Sequence, residues 1–137
     1  MANGGWYGTR DEWDRLEAPL SKLDLVILRF AESFGMKVSK NHKDWPERSI
    51  EWGGPVRCFI QIYLADQEQA LWNFWICCSE DRDKERFWKK TFLVERRPIS
   101  ALADRLPQLL GDGRNLLNEW SQHPENFEFA ATVADLR

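Results

Sequence analysis

In two stretches of this chain, 56–64 and 72–78, every even-numbered side chain is apolar, and this parity limits the fold more than any other feature. Neighbouring side chains on a strand point to opposite faces, so a one-residue slip in pairing would turn a whole apolar set towards water. If 66–70 form a five-residue loop, Tyr63 lies opposite Asn73, Gln61 opposite Trp75 and Phe59 opposite Cys77 on one face. Cys58, Ile60, Ile62 and Leu64 then meet Trp72, Phe74, Ile76 and Cys78 on the other, which is wholly apolar. A loop one residue shorter would set Asn73 among the isoleucines, so the five-residue pairing is expected.

At the preceding turn, a three-residue loop Gly53-Gly54-Pro55 sets Trp52 opposite Val56, Ile50 opposite Cys58 and Glu51 opposite Arg57. A two-residue Gly-Gly turn would point Glu51 and Ser49 inward, and burying an unpaired carboxylate is costly. Strands are therefore expected at 47–52, 56–65 and 71–80, with 36–40 as a short edge strand and 86–94 as one more. Between the first two lies a polar loop, 41–46, containing His42 and Asp44.

Both flanks supply a cover for the dry face. Thr9 and Glu12 form a capping box that starts a helix. From it Trp13, Leu16, Leu20, Leu23, Ile27, Phe30 and Phe34 recur every three or four residues until Gly35 provides a left-handed cap. Pro19 must kink or split this helix, because it lacks a donor and crowds the preceding turn. After the strands, Ile99, Leu102, Leu106, Leu109, Leu110, Leu116, Leu117 and Trp120 form a second stripe. Pro107 and Gly111-Asp112-Gly113 interrupt it, so two short helices or one broken helix are expected. The reading is α+β: an antiparallel sheet of four to five strands in meander order, with amphipathic N-terminal and C-terminal helices packed on one face.

A length of 137 residues suits one domain, 1–137, with 1–8 as a flexible lead-in and 121–137 as a tail or an extra strand from 127 to 133. A net charge of −3 disfavours bulk attraction to nucleic acid or anionic membrane. The first residues lack the pattern of a signal peptide and the longest aliphatic run, Leu25-Val26-Ile27-Leu28, is too short to span a bilayer, so a soluble cytoplasmic protein is expected. Cys58, Cys77 and Cys78 match no disulfide or zinc spacing and are read as reduced, packed thiols. Eight tryptophans are many for this length; large and carrying a donor, some should lie half-exposed at a groove or interface.

The outer face of the central hairpin is the first candidate site. It presents Glu51, Arg57, Phe59, Gln61, Tyr63, Asn73, Trp75 and Ser79, rigid aromatics beside hydrogen-bonding groups, which suits recognition of a partner. The plainer readings are a wetted half-polar sheet face, or one covered by the tail or by a second copy. The second candidate is the basic-aromatic segment 82–97, with Arg86, Trp88, Lys89 and Lys90, which could hold single-stranded nucleic acid, although a charged edge strand has the same pattern. His42 with Asp44 resembles a turn more than a catalytic pair, Glu80-Asp81 a solvated strand exit, and His42 and His123 sit in no diagnostic motif. No catalytic residue, metal or cofactor is assigned. The leading expectation is a non-catalytic protein-interaction module, of bacterial accessory or immunity type, acting on a protein partner or on itself. The alternative is a small-molecule or enzymatic pocket between sheet and helices, reached by His42, Asp44 or Tyr63.

Overall fold

The computed structural model describes residues 8–41, 45–82 and 85–129. The lead-in, most of the proposed C-terminal strand, and the pair His42 and Asp44 therefore lie outside the described residues. Two N-terminal helices, α1 (Arg10–Ser21) and α2 (Asp24–Ser33), precede five strands: β1 (Lys37–Asn41), β2 (Glu47–Gly53), β3 (Val56–Asp66), β4 (Leu71–Arg82) and β5 (Glu85–Pro98). Helices α3 (Ile99–Ala103) and α4 (Leu106–Ser121), a 3-10 turn (Pro124–Asn126) and a two-residue strand β6 (Glu128–Phe129) follow. The sheet is an antiparallel meander in the order β1-β2-β3-β4-β5-β6, the expected architecture with one short strand added at the edge.

The α1 terminus is the expected capping box: Thr9 Oγ1 accepts the Glu12 N–H at 3.1 Å, and Glu12 Oε1 accepts the Thr9 N–H at 3.4 Å. Pro19 lies inside α1, and the break falls later, at Lys22 and Leu23, where the Leu23 N–H turns to the Leu20 carbonyl at 2.9 Å. Helix α2 ends in a Schellman motif. Gly35 takes φ +65°, and the Met36 and Gly35 N–H groups reach back to Ala31 and Glu32. Phe34, the C-cap residue, is 45 % exposed with the Arg114 guanidinium 3.8 Å from its ring, and Ala31 is the last buried residue of the helix.

The β3–β4 register matches the expectation at each pair: Tyr63 with Asn73, Gln61 with Trp75, Phe59 with Cys77, Ile60 with Ile76 and Ile62 with Phe74. The turn reaches it differently. Asp66 already pairs with Leu71, and an irregularity between Leu64 and Asp66 restores the parity that a shorter loop would have broken. The β2–β3 turn departs from the expectation: Trp52 pairs with Cys58, Ile50 with Ile60 and Gly53 with Arg57, two residues along from the expected register. Gly53 is the reason. Its φ of +106° and the Val56 carbonyl, which stands where a Cβ would, suit glycine alone, and the ladder runs on to pair Gly53 with Arg57. The shift is even, so the faces are unchanged, and Glu51 still pairs with Arg57 along a diagonal.

All four α-helices bury their stripes on the even face, where Leu20, Ile27, Leu102, Leu110 and Leu117 share one cluster with Ile60, Ile62, Phe74 and Ile76. The Gly111-Asp112-Gly113 stretch does not break α4. Gly113 is a contact point: a Cβ there would stand 3.2 Å from Ile76 Cγ2, so the missing side chain lets the helix lie close to the sheet. Cys58 and Cys78 face each other across β3 and β4 with their sulfurs 3.6 Å apart, and both lie near the Leu117 carbonyl. Cys58, Cys77 and Cys78 are all buried thiols. Hydrogen bonding with Cys58, together with burial, pushes the Cys78 thiol up, so it stays protonated.

One even position of β2 is not apolar. Arg48 is 2 % exposed, and its guanidinium donates to Asp24 at 2.6 Å, Glu17 at 2.5 Å, Ser21 at 3.3 Å and the Glu47 carbonyl at 2.9 Å. It ties the end of α1 and the start of α2 to the sheet at the helix break.

Candidate functional site

The odd face of the sheet carries no helix among the described residues, and its side chains are ordered by one another. The Trp75 indole donates to Gln61 Oε1 at 2.6 Å, and Gln61 Nε2 donates to Ser49 Oγ at 3.2 Å. These two bonds run across three strands. Tyr63 meets Trp75 edge-on with ring centroids 6.4 Å apart, and Phe92 lies 6.1 Å from it on the other side. The Lys90 ammonium sits 5.5 Å from the Trp75 ring and 4.6 Å from the Trp88 ring, and the Arg57 guanidinium lies 5.3 Å from Phe59. Cations over aromatic faces are held by the ring quadrupole.

The six residues expected on this face are brought together there, in two roles. Trp75 is 5 % exposed and Asn73 7 %, so both form the floor. Arg57 is exposed, and Phe59, Gln61 and Tyr63 are half-buried. Phe92, which the sequence offers as part of the basic-aromatic segment and not of this face, is the large apolar side chain the face presents to solvent, at 38 %. Its alternation with Trp88 and Lys90 was legible, but its adjacency to Trp75 depends on the β4–β5 register, which two irregularities set.

Those irregularities shape one end of the face. Opposite Asn73, strand β5 carries two residues, Glu95 and Arg96, between the pairs Trp72–Arg97 and Phe74–Val94. Arg96 adopts φ +52°, a conformation that few side chains tolerate. Two contacts hold it: its N–H donates to Asn73 Oδ1 at 2.7 Å, and its guanidinium reaches Asp66 at 3.1 Å. The Gln69 N–H, followed by Arg96, keeps the Asp66 carboxyl below the usual carboxylate range. Beside this bulge lies an open cleft of about 450 Å³ lined by Trp45, Tyr63, Leu64, Ala65, Asn73, Glu95 and Arg96. The Trp45 indole is pinned to the Leu64 carbonyl at 2.5 Å.

The basic-aromatic segment is divided between the faces. Trp88 and Lys90 stand on the odd face, whereas Lys89 turns to the helical side and lies 4.9 Å above Trp120 of α4. Arg86 pairs with Asp81 along the ladder. Trp88 Nε1 is buried and has no hydrogen-bond partner among the described residues. Tyr63 belongs to the face away from the helices and so does not reach between sheet and helices. His123 is exposed beside Glu125 at 3.2 Å. Among the described residues no group of His, Cys, Asp and Glu is arranged to hold a metal ion, and no helix is long and apolar enough to cross a membrane. No protein-family model, curated protein or solved structure matches the chain.

Proposed function

We propose that this protein is a non-catalytic interaction module whose odd sheet face binds a protein partner, in the manner of a small bacterial accessory or immunity-type protein. The observation that carries this reading is the pre-ordered aromatic layer itself. Trp75 is fixed by the Gln61–Ser49 relay and flanked by Tyr63 and Phe92, with Lys90 and Arg57 at its margins. Rigid aromatics bind at small entropic cost, and surrounding charges set orientation. The division of Lys89 from Lys90 weighs against a continuous track for single-stranded nucleic acid, which needs cations and stacking rings along one groove.

The test compares affinity capture by wild type, by Phe59→Ala with Phe92→Ala, and by Leu25→Ala with Leu28→Ala on α2. The sheet-face variant should lose its partner while the helix variant keeps it. The same partner set at the same yield for all three proteins refutes the reading.

A further inference from the structure

The cleft beside the β5 bulge has a chemistry that specifies what enters it. The Arg96 N–H fixes the orientation of the Asn73 amide by claiming its oxygen at 2.7 Å. The Asn73 NH₂ group, on a side chain 93 % buried by its 7 % exposure, then bonds none of the described residues and borders the cleft. A donor placed there calls for an acceptor on the ligand. The charges are just as definite. The Arg96 guanidinium is neutralised by Asp66 at 3.1 Å, while the Glu95 carboxylate pairs with no cation among the described residues. One negative charge is left over, in a chain whose net charge is −3. Trp45 and Tyr63 add two ring surfaces, and the Tyr63 hydroxyl bonds none of the described residues.

We infer that the cleft receives a lysine or arginine side chain from an extended basic segment of the protein partner, an inference that rests on the proposed interaction face. The cation would lie against Glu95 and the rings of Trp45 and Tyr63, and a peptide carbonyl of the same segment would accept from Asn73. A buried or half-buried cation is favoured where a carboxylate and aromatic faces converge. The cleft volume of about 450 Å³ falls in the usual range for such ligand sites. The strained Arg96 backbone fits the same picture, since residues held in sparsely populated conformations collect at ligand clamps.

Blocked glycine-rich peptides with a central arginine, lysine, glutamine or glutamate, titrated into the whole protein labelled with nitrogen-15, test this directly. The arginine and lysine peptides should shift the Asn73 side-chain amide and the Trp45 indole resonances, and the glutamine and glutamate peptides should not. Glu95→Gln, at an exposed site with no cation beside it among the described residues, should weaken the arginine peptide about tenfold. Equal shifts from the glutamate peptide, or no shifts at Trp45 and Asn73 from any peptide, overturn the inference. Loss of the partner on Phe59→Ala with Phe92→Ala, alongside silent peptides, would sink the cleft and leave the interaction face standing.

Discussion

Arg48 shows how one side chain can join elements far apart in the chain. Its partners Glu17 and Asp24 lie 31 and 24 residues away, on two helices, and all three meet only once the sheet is covered. Alternation put Arg48 on the dry face, but nothing in the local pattern announced the carboxylates that make its burial tolerable. Removing one partner from a buried ion cluster costs more than replacing the cluster, because the remaining charges lose their counterpart. Arg48→Ala should therefore destabilise the protein by about 3 kcal/mol in urea unfolding, and Arg48→Met by less, since its chain refills the space. Asp24 carries a pH signature. Burial pushes its carboxyl up, but the Arg48 and Lys40 hydrogen bonds and charges outweigh this and hold it below the usual carboxylate range. A folded value below the unfolded one stabilises fully above about pH 4 and is lost as pH falls through the folded value. Asp24→Asn should flatten the fall of stability in acid while lowering stability at neutral pH, both read from denaturant midpoints.

Among the elements, the reading from sequence succeeded where periodicity ruled and slipped where a single backbone conformation decided. The capping box, the Gly35 cap and the β3–β4 register follow from side-chain chemistry and parity, which a sequence displays. The position of the helix break after Pro19, the two-residue shift at Gly53 and the irregularities of β5 follow from backbone angles, which it does not. The glycines of α4 illustrate the difference. Both read as helix breakers, yet Gly113 faces Ile76 and Ile60, while a Cβ at Gly111 would meet nothing within 4 Å. Gly111→Ala should therefore stabilise by about 1 kcal/mol through helix propensity alone. Gly113→Leu should cost about 2 kcal/mol or more by forcing α4 off the sheet. Paired thermal melts separate the two, and similar shifts for both would count against the close-approach role.

At the scale of the whole molecule, the candidate surface was legible as a face and illegible as a site. Parity assigned Arg57, Phe59, Gln61, Tyr63, Asn73 and Trp75 to one side of the sheet, but only the bulge shows that Asn73 and Trp75 form a floor while Phe92, Glu95 and Arg96 rise beside them. On the opposite side, Leu117 is wholly buried where α4 crosses β3 and β4, so Leu117→Ala should cost about 3 kcal/mol and lower the melting temperature. The placement of α4 also matters while the chain is being made. The apolar side of the central hairpin is complete at Arg82, yet its lid ends only at Ser121. A nascent chain leaving the ribosome has only α1 and α2 with which to cover Ile60, Ile62, Phe74 and Ile76 until the last helix emerges, and in that interval the half-covered face is an open invitation to a chaperone or to a neighbouring polypeptide.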